Sequence, residues 1–204
     1  TTLYRSLDEQ LVTVSHNGSP QDDVELIPHE PVSSGQLFVL LIDGSGSMYE
    51  NDGERAKKVY QALMNPDVIR GFLPDDNGGT GVVLLRFSSE VTGLDGQAPK
   101  VIKTAGEYRR MVKDNLMVPR GGYTHLYDAV KYSTSDLLKV PAISRFLSVK
   151  AAQPTLVVLT DGFNNQAAND TCGTNVDRLN DLLTHMNEGQ KGSGVSARSL
   201  VFTI

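Results

Sequence analysis

Cysteine and long apolar runs are both scarce in this sequence. Cys172 is the only cysteine among 204 residues, which excludes an internal disulfide bond and a zinc site built from several thiolates. No stretch approaches the roughly 18 consecutive apolar residues that a membrane-spanning helix needs. We therefore expect a domain that folds without disulfides and does not insert into a membrane.

Positive charge is also in short supply. Lys and Arg number 19 against 24 Asp and Glu, so the formal net charge is -5. This balance argues against binding to nucleic acid and to anionic membrane surfaces. Hydrophobic residues make up 39% and charged residues 21%, values typical of a globular chain long enough for one domain with a covered core.

The character of the chain changes near residue 36. Residues 1–35 are mostly polar, and we predict that they form a small β-rich N-terminal lead-in packed on the main domain. Its strand candidates are "LVTV" and "VELI", on either side of the turn-forming "HNGSPQDD". Residues 36–204 alternate apolar runs with helical patterns, and we predict that they form the main domain.

Apolar strands alternate with amphipathic helices in residues 36–204. The predicted strands are "QLFVLLI", "TGVVLLRFS", "PTLVVLTDG" and "RSLVFTI", with a weaker "KVIKTA"; the predicted helices are "ERAKKVYQALM", "AGEYRRMVKDNL", "THLYDAVKYSTSDLL" and "VDRLNDLLTHMNEG". This alternation predicts an α/β fold with a mostly parallel central sheet covered by helices on both faces. Such sheets bind ligands at the carboxyl ends of their strands.

Acids and hydroxyls stand at two of these strand ends. "LFVLLIDGSGSM" runs from a buried strand into Asp43, Ser45 and Ser47, and Asp161 follows the strand "PTLVVLT". In an extended loop, side chains two residues apart point the same way, which would direct both serine hydroxyls to one side. Carboxylates and hydroxyls are hard oxygen ligands, suited to magnesium, manganese or calcium.

Glycines accompany these polar groups. Gly44 and Gly46 would let the backbone bend closely beneath the serines. Between the two acids lies "PRGGYTHLYDA", whose paired Gly121 and Gly122 predict a sharp loop. Thr124 follows that loop at the predicted start of a helix.

Taken together, these positions resemble the metal-ion-dependent adhesion site (MIDAS) of von Willebrand factor type A (VWA) domains, a fold shared by integrin inserted domains. D-x-S-x-S at Asp43, Ser45 and Ser47, Thr124 after Gly-Gly, and Asp161 after an apolar strand fill all five motif positions. The resemblance covers roughly residues 36–204. It implies a doubly wound, Rossmann-like, mostly parallel sheet with a short antiparallel edge strand, which "KVIKTA" would supply.

The resemblance also implies a role for each motif residue. Ser45, Ser47 and Thr124 would ligate the cation through their hydroxyls. Asp43 and Asp161 would act mainly through bound waters and hydrogen bonds, with Asp161 ligating the cation directly in some states. The implied ion is Mg²⁺ or Mn²⁺, with Ca²⁺ ranked behind them. An open coordination position would then bind a Glu or Asp carboxylate of a protein partner, which makes the chain a non-enzymatic adhesion or assembly module without catalytic residues.

Location and chain limits follow from the same resemblance. Members of the family occur outside cells as adhesion modules and inside cells beside AAA+ ATPases. We favour an extracellular, cell-surface or periplasmic location, with the cytoplasm as the alternative. Family members usually continue past the last strand seen here, so we expect the domain to extend beyond Ile204. The sequence determines neither the partner nor the oligomeric state.

Three alternatives compete with this interpretation. Residues 43–47 could form only a turn and a helix cap, because Asp, Ser and Gly are common there. A magnesium-dependent phosphohydrolase could use Asp43 and Asp161 as metal ligands, although no convincing base or lysine accompanies them. A degenerate site on a purely structural scaffold is the third. A nucleophile elbow, a dinucleotide fingerprint and a phosphate loop all fail to match "DGSGSMY".

Overall fold

The structure of the protein is a computed structural model that describes residues 15–16, 19–20, 35–74, 79–161 and 198–203. The chain divides into two compact units, Thr1–Val32 and Ser33–Ile204. The domain limits predicted from the sequence, 1–35 and 36–204, and the packing of the lead-in on the main domain stay predictions.

The described residues of the first unit form one short antiparallel strand pair. Strand β1 (Ser15–His16) pairs with β2 (Ser19–Pro20), with His16 opposite Ser19. The sequence between them is Asn-Gly, the pair most typical of two-residue hairpin loops. The strand candidates "LVTV" and "VELI" lie outside the described residues.

A five-stranded mixed sheet organises the second unit. Its strands run in the order β5-β4-β3-β6-β7, and they are β3 (Gln36–Asp43), β4 (Thr80–Phe87), β5 (Val91–Gly93), β6 (Gln153–Thr160) and β7 (Arg198–Thr203). Strand β3 is parallel to both β4 and β6, β6 is parallel to β7, and β5 is antiparallel to β4. The predicted α/β class, with a mostly parallel sheet and an antiparallel edge strand, is confirmed.

The edge strand, however, is not the predicted segment. β5 forms the antiparallel edge, whereas "KVIKTA" contributes a single bridge, in which Ile102 and Val82 exchange hydrogen bonds of 2.7 and 2.9 Å. Pairing stops there because the chain turns into a helix at once. Thr104 caps that helix by accepting a hydrogen bond from the Glu107 amide at 3.2 Å.

Helices cover both faces of the sheet. They are a 3-10 helix (Gly46–Tyr49) and α1 (Glu50–Leu63), α2 (Pro66–Phe72), α3 (Ala105–Asn115), α4 (Leu126–Thr134), α5 (Asp136–Lys139) and α6 (Pro141–Lys150). None of these described helices is long and apolar enough to cross a membrane. The sequence analysis missed α2 and α6, and the predicted helix "VDRLNDLLTHMNEG" lies outside the described residues.

The predicted helix "THLYDAVKYSTSDLL" is two helices rather than one. Ser135 separates α4 from α5 with φ -130° and ψ -72°, which no α-helix accommodates. The hydroxyls of Ser133 and Ser135 bond back to the carbonyls of Ala129 and Lys131, at 2.8 and 2.7 Å. Such side-chain bonds compete with the helical pattern, so the local chemistry favours a break there.

Two apolar layers hold the sheet between the helices. Leu40 and Ile42 of β3 pack in the cluster formed with α1, α2 and α3. Leu37, Val39 and Leu41 pack in the cluster on the other face, formed with α4, α5 and α6. A strand buried on both faces explains the continuous apolar run "LFVLLI". Because β3 is packed on both faces, the position of its last residue, Asp43, is held in place.

Candidate functional site

Three strand ends meet at one edge of the sheet. Asp43 is the last residue of β3 and pairs with Phe87, the last residue of β4. Ile42 pairs with Leu159 of β6, so the residues that follow on β6 lie beside Asp43. Asp161 comes directly after β6. The parallel arrangement therefore brings both predicted acids to the carboxyl edge of the sheet.

Asp43 is buried and held by protein donors on both of its oxygens. Its exposed fraction is 1%. The Ser45 amide donates to Oδ1 at 2.8 Å, and the Thr160 hydroxyl donates to Oδ2 at 2.7 Å. Burial raises the pKa of Asp43, the hydrogen bonds from Ser45 and Thr160 counteract that rise, and the nearby Asp161 charge adds to it. Asp43 is thus a fixed anchor beneath the loop that follows it.

The two serine hydroxyls meet, but not through an extended loop. Ser45 is extended (φ -62°, ψ 164°), whereas Ser47 lies in the 3-10 helix. Their oxygens are 3.1 Å apart. Met48 is buried and its amide donates to the Ser45 carbonyl at 3.2 Å, which holds the helical turn. The predicted extended conformation is wrong from Gly46 onward, yet the tight turn still joins the hydroxyls.

The glycines of this loop differ in what they contribute. A Cβ at Gly44 would lie 2.6 Å from the Cγ and Cδ atoms of Arg86, so the close packing there requires glycine. A Cβ at Gly46 would meet no atom within 4 Å. Close packing therefore requires glycine at Gly44 but not at Gly46.

The predicted sharp loop at the paired glycines is present. Gly121 has φ +72° and Gly122 has φ +94°, a region that favours glycine. A Cβ at Gly122 would come within 3.0 Å of the Ser89 hydroxyl. The Gly46 amide lies 3.5 Å from the Gly122 carbonyl and donates to it, which joins this loop to the loop after β3.

Thr124 is held between two contacts to the residues that follow β4. The Tyr123 amide donates to the Ser89 hydroxyl at 3.2 Å, and the His125 amide donates to the Ser88 carbonyl at 3.0 Å. Thr124 itself is buried, with an exposed fraction of 4%. The N-cap position of α4 is occupied by His125 rather than Thr124. A simple capping role for Thr124 is therefore excluded.

Asp161 has a cationic partner. Arg55 Nη1 of α1 lies 2.8 Å from Asp161 Oδ2 and 3.1 Å from the Ser47 carbonyl oxygen, and it donates to both. The exposed fractions of the two side chains are 46% for Arg55 and 12% for Asp161. Arg55 thus connects the acid after β6 to the loop after β3.

A buried arginine binds the segment between α3 and the paired glycines. Arg86 donates through Nη1 to the Val118 carbonyl at 2.9 Å and through Nη2 to the carbonyls of Asn115 and Leu116 at the end of α3. Tyr49, directly after Met48, donates its hydroxyl to the Leu116 carbonyl at 2.8 Å. Burial lowers the pKa of Arg86. These bonds tie the segment that leads into the glycine loop to the sheet.

Sequence reasoning missed three of these residues. Thr160 could have been found, because it ends a strand predicted to lie beside Asp43 and carries a hydroxyl. Arg55 and Arg86 offered no such signal, since their contacts depend on the direction of α1 and on the end of α3.

The donor set suits a hard divalent ion. In an octahedral shell with Mg²⁺–oxygen distances of about 2.0–2.1 Å, neighbouring ligand oxygens are about 2.9 Å apart. The Ser45 and Ser47 hydroxyl oxygens are 3.1 Å apart, within about 0.2 Å of that spacing. Within the described ranges, no group of three His, Cys, Asp or Glu side chains could hold a metal. The hydroxyl pair with its neighbouring acids stays the candidate cation site that the sequence predicts.

No protein-family model matches this sequence, and no curated protein matches it either. Solved structures do match. Proximal thread matrix protein 1 from the mussel byssus, in a structure described as having a zinc-occupied MIDAS motif, is 18% identical with a TM-score of 0.51, over 83% of this chain and 38% of that one. The vWF domain of the type V pili tip protein Mfa5 from Porphyromonas gingivalis is 17% identical with a TM-score of 0.50, over 72% and 44%.

A third match is the D319A mutant of the PilB minor pilin from Streptococcus sanguinis, 16% identical with a TM-score of 0.53, over 85% of this chain and 52% of that one. At such identities the similarity establishes the fold alone, which is von Willebrand A-like. This chain spans about half or less of the length of each of these three proteins.

Proposed function

We propose that this protein is a cation-dependent protein-binding module, which binds an acidic side chain of a partner protein through Mg²⁺ or Mn²⁺. Ser45, Ser47 and Thr124 would hold the ion by their hydroxyls, with Asp43 and Asp161 acting through hydrogen bonds and bound waters. The observation that carries this proposal is the pair of serine hydroxyls, 3.1 Å apart, next to an acid whose two oxygens are both fixed.

The chemistry of the donors explains why the partner group would be an anion. Hydroxyl ligands are neutral, so they quench little of a cation's charge, and the acids compensate from farther away. When bound, the cation would supply an open position for an anionic oxygen. Thr160 and the Ser45 amide hold the Asp43 carboxylate in one orientation, so it can accept bonds from the ligands without moving.

The structural neighbours support an adhesion or assembly role outside the cell or at its surface. One is a matrix protein of the mussel byssus, one a pilus tip protein and one a minor pilin, and the byssus protein has a zinc-occupied MIDAS motif. These properties belong to the neighbours. For this chain they favour a divalent ion, a protein partner and an extracellular or cell-surface location.

Calorimetry with Mn²⁺ and Mg²⁺ tests the site directly. We expect one ion to bind to the wild type, and Asp43→Ala or the pair Ser45→Ala and Ser47→Ala to weaken its affinity at least tenfold. Ser148→Ala is the matched control, because it removes an exposed hydroxyl from α6. Equal affinity in the wild type and in Asp43→Ala would contradict the proposal.

The partner chemistry is tested with peptides that carry a single Glu, compared with the same peptides carrying Gln. We expect capture of Glu peptides by the immobilised protein in Mg²⁺, and loss of capture in EDTA. Capture that survives both EDTA and Asp43→Ala would show that the cation is not involved.

The phosphohydrolase alternative uses the same two acids as direct metal ligands. Both Asp43 oxygens already accept hydrogen bonds from protein donors, which favours a positioning role for this acid over direct ligation of a metal. A phosphatase assay with magnesium separates the two functions. Turnover that Asp43→Ala abolishes would replace our proposal with the enzymatic one.

A further inference from the structure

A cation that belongs to the protein lies at the edge of the candidate site. Arg55 Nη1 donates to Asp161 Oδ2 at 2.8 Å and to the Ser47 carbonyl at 3.1 Å. Both acceptors belong to residues of the five-position motif. One guanidinium therefore contacts the motif on two sides, at the acid after β6 and at the loop after β3.

The backbone before Arg55 has an unusual conformation. Asn51, Asp52 and Gly53 have φ of 50°, 58° and 71°, three consecutive residues in the left-handed region that interrupt α1. Asn and Asp tolerate this region better than other non-glycine residues, and glycine adopts it freely. The sequence Asn-Asp-Gly thus permits the turn between the loop and Arg55. The regular part of α1 begins after this turn, close to Arg55.

Charge gives this contact a consequence. Asp161 is one of the two acids of the five-position motif that could offset the charge of a divalent ion, and Arg55 already pairs with it. The Arg55 guanidinium and a divalent cation are both positive, so they repel each other at a separation of several Å. The repulsion is screened less in a partly buried site than in water, and salt weakens it. Because almost half of the Arg55 side chain is exposed, the guanidinium can also leave its place without unpacking the core.

We propose that Arg55 competes with the divalent cation for Asp161 and thereby sets how tightly the site holds that cation. This inference rests on the proposed function. Arg55 keeps Asp161 neutralised until the site is loaded, and Asp161 exchanges Arg55 for the bound ion and its waters. Arg55 is therefore an affinity-determining residue that lies outside the five-position motif.

The test is calorimetric titration of Mn²⁺ into four proteins. Arg55→Gln removes the charge, and we expect its Kd for Mn²⁺ to fall about tenfold relative to the wild type at low salt. Arg55→Lys keeps the charge, and we expect a Kd within about threefold of the wild type. Lys58→Gln is the matched control, because it removes the same charge from an exposed position on α1, where Lys58 pairs with Glu54 at 3.1 Å. We expect the difference in Mn²⁺ affinity between Arg55→Gln and the wild type to become smaller at high salt.

A double-mutant cycle isolates the pair. If the competition acts through Asp161, Arg55→Gln has a smaller effect once Asp161 is replaced by Asn. We expect the fold-change in the Kd for Mn²⁺ to be at least three times smaller in the Asp161→Asn background than in the wild type. Thermal unfolding in EDTA checks, without any metal, that each variant is folded. Should Arg55→Gln fail to fold, Arg55→Met carries the same comparison.

The outcomes separate this inference from the proposed function. Mn²⁺ binding with equal or weaker affinity in Arg55→Gln overturns the competition and leaves the cation site standing. Binding by Arg55→Gln but not by the wild type supports the competition and contradicts the proposed function of the wild type. Absence of Mn²⁺ binding in every variant overturns both.

Discussion

The two strand-end aspartates occupy similar places and have opposite surroundings. Asp43 ends β3 and Asp161 follows β6, the parallel strand beside it. Asp43 is almost fully buried and takes its hydrogen bonds from neutral groups, an amide and a hydroxyl. Asp161 is partly exposed, and its partner is a half-exposed arginine.

This difference in surroundings indicates different roles for Asp43 and Asp161. Disturbing a buried carboxylate with fixed donors costs much free energy, because the donors lose that acceptor away from water. A partly exposed ion pair contributes less to stability, because water and salt screen part of its interaction. We therefore interpret Asp43 as the structural anchor of the site and Asp161 as the acid whose partner can be exchanged.

The largest expected effect is that of Asp43→Ala. It leaves the buried Ser45 amide and Thr160 hydroxyl without their acceptor, and each stranded donor costs about 1 to 3 kcal/mol. We expect the free energy of unfolding to fall by about 3 kcal/mol, measured by urea denaturation. Asp161→Ala is the matched control. Equal losses in the two variants would remove the distinction between anchor and exchangeable acid.

Gly44→Ala tests how tightly the region around Asp43 is packed. The new methyl group would lie 2.6 Å from Arg86 side-chain atoms, and such overpacking costs about 2 kcal/mol. Gly46→Ala places the same group in open space, so we expect a loss below about 0.5 kcal/mol. Urea unfolding of both variants gives the comparison, and a larger loss at Gly46 would contradict it.

Thr160→Val removes one donor from Asp43 while keeping the shape of the side chain. The Asp43 Oδ2 atom then lacks its hydroxyl partner in a buried place, which costs about 1 to 2 kcal/mol. Thr160→Ser keeps the hydroxyl, and we expect it to retain most of the stability that valine loses. If valine and serine have the same effect in thermal unfolding, the methyl group matters rather than the hydrogen bond.

The smallest expected effect on stability is that of Asp161→Asn. It breaks the charge pair with Arg55, and partly exposed pairs contribute less than about 1 kcal/mol. We expect the loss, measured by urea unfolding without metal, to shrink further at high salt. A loss as large as that of Asp43→Ala would show that the pair is structural and would weaken the idea that Asp161 exchanges its partner.

Local patterns were good predictors of the sheet and poorer predictors of its borders. The apolar runs of β3, β4 and β6 predicted buried parallel strands, because a strand covered on both faces cannot alternate. Short helices were harder. Both α2 and α6 begin at a proline, Pro66 and Pro141, a residue that breaks helices internally but is favoured in their first turn. The edge strand was misplaced because β5 has only three residues.

The candidate site divides in the same way. The sequence named Asp43, Ser45, Ser47, Thr124 and Asp161, and the structure joins the first three by direct contacts of Asp43 with the Ser45 amide and of Ser45 with Ser47. Whether these five residues hold a cation stays a prediction. The conformation at Ser47 was wrong, because the 3-10 helix depends on the burial of Met48 in the core, which alternation in the loop does not reveal.

By itself, the sequence determined the α/β class, the strand ends that carry the acids, and the hydroxyl-rich chemistry of the loop. These features depend on neighbours within a few residues, where hydrophobic period and turn chemistry act directly. Only the tertiary structure decided that Thr160 holds Asp43, 117 residues away, and that Arg55 binds Asp161, 106 residues away. Such contacts depend on strand order and on the direction in which α1 leaves its left-handed turn, and no local pattern specifies either.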